Sequence, residues 1–248
     1  MSITKKIIKY ITFMIMVSTL LGCANQASEE NETKDTEQAK QEEPAEVNIY
    51  DSCLQKCYQI LISDSDMLEE EDFLGVAETA MYYEKEEALE KIGYSIRDIS
   101  GDDVPELLIG WIDEQDDTGS YGNIIYTVYS IVDGQPTCVL EGWARNAYYW
   151  LGEGRFLNVG SGGAAYSIFG TYHLAEDGSE LICEDYYFTH EKDENFEKIG
   201  AFHNNTGEWG IEYAEELEIS MEEFWNIEQE LEAGVQMMKL TPFSEFEE

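Results

Sequence analysis

The chain has 248 residues, and 53 acidic side chains against 14 basic ones give it a formal charge of −39. A field of that sign repels nucleic acid and anionic lipid headgroups; a basic partner or a divalent cation fits it better, and solubility outside a cell is its plainest use. The 16 Tyr, 10 Phe and 5 Trp favour a body rich in sheet.

Lys5, Lys6 and Lys9 precede an apolar run from Ile11 to Leu21, interrupted by Thr12, Ser18 and Thr19. The run is shorter than the roughly 20 apolar residues that a spanning helix needs, so residues 1–22 read as a signal peptide. It ends in Leu20-Leu21-Gly22-Cys23, which resembles the bacterial lipobox. The resemblance implies a diacylglyceryl group on the Cys23 sulfur, added acyl chains such as palmitate, and cleavage after Gly22. The expected address is the extracytoplasmic face of the cell membrane, with the membrane a partner through the lipid alone. An ordinary cleaved secretory signal with an incidental Cys is the other reading. Residues 23–46 comprise the lipidated Cys and an acidic spacer of Glu, Gln, Asn, Lys, Thr and Ala with a single Pro44. Such a stretch has too little apolar surface to offset the entropy of ordering. Residues 47–248 then form a single extracytoplasmic domain.

Within that domain, Leu54, Cys57, Tyr58, Leu61 and Ile62 follow a helical period, and Ser63-Asp64-Ser65-Asp66 breaks it. Asp72 to Ile92 reads as one or two amphipathic helices stopped by Gly93. Short β-rich runs follow at Tyr94–Ile99, Glu106–Ile112, Ile124–Val132, Thr137–Leu140, Tyr148–Leu151, Tyr166–Leu174, Leu181–Thr189 and Ile199–His203. Asp133-Gly134 and Asp177-Gly178 lie between paired runs as hairpin turns. Ser220 with Glu223 forms a capping box, and Phe224, Ile227, Leu231 and Val235 continue a final helix. The predicted fold class is α+β: N-terminal helices, an antiparallel β meander, and a C-terminal helix packed on the sheet.

Four cysteines follow Cys23. Cys53 and Cys57 share a helix face without a histidine nearby in sequence, which leaves burial as thiols more natural than zinc. Cys138 and Cys183 each follow a similar Asp-Gly hairpin, and a disulfide between them is the expectation to test.

The segment Asp98-Ile99-Ser100-Gly101-Asp102-Asp103-Val104-Pro105-Glu106 carries the best chemical signal. Oxygens of Asp98, Ser100, Asp102 and Glu106, with the Val104 carbonyl, stand at the first, third, fifth, ninth and seventh positions of a tight loop and can converge on Ca²⁺. The loop resembles the Asp-rich calcium loops of FG-GAP-type repeats. It is not an EF-hand, because Ile109 occupies the place of the bidentate Glu. A polar turn, with the Asp side chains serving backbone amides, is the competing reading. Asp113, Glu114, Asp116 and Asp117 read as a solvated acidic loop.

Gly160-Ser161-Gly162-Gly163 invites an anion-binding reading, with Ser161 beside Arg145 as ligand-binding candidates, but a glycine turn explains it more simply. It is neither a P-loop nor a nucleophile elbow. Several segments resemble a group of Gram-positive bacterial lipoproteins. These are Gly93–Ile99, Pro105-Glu106-Leu107-Leu108-Ile109-Gly110, Trp143-Ala144-Arg145-Asn146, Gly160–Ser167 and Leu240-Thr241-Pro242-Phe243. The resemblance implies anchoring and one domain, and carries no catalytic residue. The functional expectation is a membrane-anchored binding or interaction module for an extracellular or envelope ligand, with Ca²⁺ as the one candidate ion. The alternative is a hydrolase acting on an envelope or extracellular polymer. A partly buried acid pair in a cleft would favour the enzyme, and an aromatic surface without one would favour binding.

Overall fold

Apolar residues at helical spacing set the first elements. Leu54, Cys57, Ile60 and Leu61 form the buried stripe of α1 (Asp51–Ile62). Gly75, Val76, Ala77 and Thr79 are buried on α2 (Leu74–Ala80), and Ala88 on α3 (Lys85–Lys91). The structure, a computed structural model, describes residues 48–63, 73–163, 166–193 and 198–247. The expected signal peptide, Cys23 and the expected spacer therefore lie outside the described residues. Those described fall in one unit spanning Glu46–Glu248. None of their helices is long and apolar enough to cross a membrane.

From Ile92 the chain is mostly strand. The strands are β1 (Ile92–Arg97), β2 (Glu106–Trp111), β3 (Glu114–Asp116), β4 (Gly119–Gly122), β5 (Ile124–Val132), β6 (Gln135–Glu141), β7 (Asn146–Gly152), β8 (Arg155–Gly163), β9 (Tyr166–Leu174), β10 (Leu181–Glu191), β11 (Ile199–Asn204), β12 (Glu215–Leu217) and β13 (Met238–Pro242). α4 (Met221–Glu232) stands between the last two. All described pairings are antiparallel, in the order β12-β11-β10-β9-β8-β7-β5-β2-β1-β13-β4-β3, with β6 also on β5. The fold is thus α+β, dominated by antiparallel sheet.

Side-chain alternation divides the central core between two faces. Leu107 and Ile109 of β2 pack with α1, α2 and Phe243, while Leu108 packs with Ile125, Val128, Trp150 and Phe156 on the other face. β2 is buried along nearly its whole length, which is why Leu107-Leu108-Ile109 reads as a continuous apolar run. α4 packs on the later strands: Phe224 is fully buried against Phe169, their ring centroids 4.8 Å apart. Burying one such ring contributes about 2–3 kcal/mol. The capping box that starts α4 is formed, with Glu223 N donating to Ser220 Oγ at 3.2 Å and Ser220 N to Glu223 Oε2 at 2.8 Å.

Several expectations need correcting. Gly93 does not stop a helix: α3 gives way to β1 at Ile92, and Gly93 pairs with both Gly110 and Pro242. Glu114 to Asp116 is a strand, not a free acidic loop; it makes a small hairpin with β4, where Asp116 accepts from the amide and hydroxyl of Thr118 at 2.7 and 2.6 Å. β13 brings the C-terminal segment back between β1 and β4. Cys138 and Cys183 do not pair. They lie on β6 and β10, in different clusters, and Cys138 Sγ donates to Leu140 O at 3.3 Å. Cys57 is buried on α1, where burial raises the pKa of its thiol.

Candidate functional site

The sheet forks at β5. Its first residues pair with β7, Ile124 opposite Tyr149 and Ile125 opposite Tyr148. From Thr127 on, the same edge pairs with β6, Thr127 opposite Glu141. The chain passes from β6 to β7 through a tight turn in which Trp143 and Asn146 exchange both backbone hydrogen bonds, at 3.1 and 2.8 Å. α2 is fastened beside the fork at both ends: Leu74 N donates to Glu141 Oε1 at 2.7 Å, and Ala144 N donates to Glu78 Oε2 at 2.8 Å. The helix can come this close because Gly75 faces the sheet. A Cβ there would lie 2.3 Å from Tyr126 Cδ1 and 2.6 Å from Gly142 O.

Beside this junction lies an open cavity of about 380 Å³ lined by six aromatic residues: Tyr82, Tyr83, Trp111, Tyr126, Trp143 and Tyr149. Gly75, Glu78, Thr79, Ile124, Ala144 and Ala147 complete the wall. Strand alternation aims Ile124 and Tyr126 from β5, and Ala147 and Tyr149 from β7, into it. Tyr82 is 83% exposed and Trp143 37% exposed, so the rim offers ring surface to solvent. Deeper in, the Tyr126 hydroxyl lies 3.1 Å from Thr79 Oγ1, which donates to Gly75 O. Burial raises the pKa of both the Tyr126 and Tyr149 phenols. Lesser contributions come from Glu78 and Asp113 at Tyr126, and from Glu232, Asp113 and Glu228 at Tyr149. The wall is therefore neutral and aromatic, with carboxylates around it. Among the described residues Glu78 is the one carboxylate in the lining, and one of its oxygens is held by Ala144 N.

The residues singled out by sequence lie elsewhere, and only some come together. Asp98 accepts from Gly101 N at 2.7 Å and Asp103 N at 3.0 Å. Ser100 Oγ donates to Asp102 Oδ1, which also accepts from Val104 N at 2.8 Å. These bonds build the polar turn. Glu106 parts from the exposed Asp98 and Asp102: it is fully buried, and its Oε2 accepts from Ile99 N at 2.8 Å. Among the described residues, no three His, Cys, Asp or Glu side chains group to hold a metal ion. Asp98, Ser100 and Asp102 thus spend hydrogen bonds inside the turn, and Glu106 Oε2 serves Ile99 N.

Arg145 and Ser161 do meet, but through the backbone. Ser161 N donates to Arg145 O at 3.1 Å, and Ser161 Oγ donates to Gly163 O at 2.9 Å. Gly160 and Ser161 belong to β8, opposite Asn146 and Ser167, so that amide is spent on sheet and does not cradle an anion. A Cβ at Gly160 would lie 3.0 Å from Arg145 O, which gives the glycine a packing reason.

The aromatic cavity was missed because its rings come from four separate stretches of chain. The available signal was the high aromatic content together with Trp143 in a turn. The chain matches no family model, no curated protein and no solved structure.

Proposed function

We propose that the chain is a membrane-anchored binding module that holds a small ligand, or the end of a larger envelope or extracellular one, in the aromatic cavity. The observation that carries this reading is the set of six aromatic side chains around one open cavity with, among the described residues, a single carboxylate in its lining. A volume of about 380 Å³ lies in the lower part of the range for small-molecule sites, roughly 300–1,000 Å³. Aromatic walls with a few placed polar groups are the usual composition of such sites.

The helices at the start of the domain and α4 near its end serve, in this reading, as supports for an antiparallel meander that presents the cavity. The lipid on Cys23 and the spacer of residues 24–46 supply the display, with residues 47–248 as the one extracytoplasmic domain. A weak structural Ca²⁺ at the Asp98 loop, on oxygens of Asp98, Ser100, Asp102, Val104 and Glu106, is a lesser, separate proposal; Glu106 Oε2 accepts from Ile99 N, while its buried Oε1 has no hydrogen-bond partner among the described residues.

The hydrolase alternative needs two carboxylates facing one scissile bond. Among the described residues, Glu78 has no acidic companion in the cavity lining. Binding is tested by titrating the protein with cello- and chito-oligosaccharides and with choline chloride, following tryptophan fluorescence and heat. Saturable binding weakened by Trp143→Ala or Tyr82→Ala is expected. Turnover of an oligosaccharide abolished by Glu78→Gln would replace this reading with the enzyme.

A further inference from the structure

The cavity has an aromatic wall and an acidic surround. Glu78 stands in the lining, and Asp113 lies close enough to act on both Tyr126 and Tyr149. Glu228 and Glu232, one turn apart on α4, act on Tyr149 as well. A whole chain of formal charge −39 adds attraction for positive charge at longer range. One ring of the wall already holds a cation from the protein itself: Lys91 Nζ lies 5.4 Å from the Trp111 ring centroid. The negative faces of aromatic rings attract ammonium groups within about 6 Å.

Resting on the proposed binding role of the cavity, we propose that its ligand is an organic cation, an alkylated or quaternary ammonium group. A neutral sugar would use the rings but gain nothing from the carboxylates' charge. An anionic ligand would meet Glu78, Asp113 and the charge of the whole chain. A hydrated metal ion would gain little from six rings and, among the described lining residues, the carboxylate of Glu78 alone. An alkylated ammonium uses both features, because its methyl groups cover ring faces while its charge meets their quadrupoles and the surrounding acids. Lys91 then acts as an internal competitor: it occupies one side of Trp111 and repels a second cation.

The test compares choline chloride with 3,3-dimethylbutan-1-ol, which has nearly the same shape without the charge, at constant ionic strength in calorimetric and fluorescence titrations. Choline should bind about tenfold more tightly than the alcohol, the advantage expected from desolvated cation–π contacts. Trp143→Ala and Tyr82→Ala should each weaken choline severalfold; Tyr82 is so exposed that its loss leaves folding intact, which thermal melts would verify. Lys91→Gln should strengthen choline binding and leave the alcohol unchanged. Phosphatidylcholine vesicles in a parallel titration would separate a free solute from a lipid headgroup as the source of the ammonium. Equal affinity for choline and the alcohol, both lost in Trp143→Ala, would overturn the cationic ligand and keep the binding cavity. Choline binding indifferent to Trp143→Ala and Tyr82→Ala would remove the cavity as the site. Absence of choline binding, with oligosaccharides bound through Trp143, would likewise overturn the cation and leave the binding module standing.

Discussion

Gly75 seats the helix beside the cavity by what it lacks. An Ala there gains up to about 1 kcal/mol of helix propensity. Its methyl would fall 2.3 Å from Tyr126 Cδ1 and 2.6 Å from a backbone carbonyl, and overpacking of that kind costs about 1–3 kcal/mol. The carbonyl of Gly142 sits where the sheet forks and cannot swing away as a flexible side chain could. Gly75→Ala should therefore lower the urea midpoint despite the better helix former, and it should weaken any ligand of the cavity because Tyr126 lines it. A higher midpoint would mean that propensity outweighs contact. Asp98 poses a similar residue-scale question. Its carboxylate is already engaged by two loop amides, so Asp98→Asn should lower the melting temperature with or without divalent ions. If those amides are its whole role, Ca²⁺ and Mg²⁺ should shift the melt alike through screening. A shift larger with Ca²⁺ and lost in Asp98→Asn would place an ion in the loop.

At the scale of elements, α4 invites a pH test. Burial first, and then the charge of Glu232, hold the Glu228 carboxyl above its ordinary pKa of 4.5. An acid with a raised folded pKa binds its proton more tightly when folded, so it costs stability above that pKa and the cost disappears as the pH falls through it. Glu228→Gln should stabilise the protein near neutrality by about 0.3–0.5 kcal/mol, the size of a like-charge pair one helical turn apart. The gain should fade as the pH drops toward 4.5 in denaturation curves taken across that range. Most of these elements were legible in the sequence. The capping box announced α4, helical periods announced α1 to α3, and Asp133-Gly134, both at positive φ, closes β5 onto β6 as its turn chemistry requires. The short strands β3, β4, β12 and β13 were not legible, because three to five residues hold too little alternation to register. The whole of β8 (Arg155–Gly163) was not legible either: the composition of Gly160 to Gly163 says turn, while pairing with β7 and β9 imposes strand. The cavity needed more than any local pattern offers: Tyr82 and Trp143 become neighbours only after α2, β5 and the turn before β7 are placed together.

For the whole molecule, charge and the proposed anchoring would pull in opposite directions. On the proposed cleavage after Gly22, removal of residues 1–22 would take away three lysines and no acids and leave the mature chain near −42. Such a body is pushed from anionic headgroups, so electrostatics alone would release it. The proposed lipid, with two or three acyl chains and about 0.8 kcal/mol from each buried CH₂, would overcome that repulsion. Salt would screen most of that repulsion beyond a Debye length of about 8 Å at physiological ionic strength. The anchor is the part of this scheme most easily removed. In cells given a labelled fatty acid, the wild-type chain should take up label and enter the detergent phase on phase separation. Cys23→Ala should carry no label, escape the lipoprotein-specific cleavage and lose the lipid-dependent partition. A wild-type chain that is cleaved yet unlabelled and aqueous would make Cys23 incidental and the leader an ordinary secretory signal; the cavity and its ligand would then have to be understood in a freely diffusing protein.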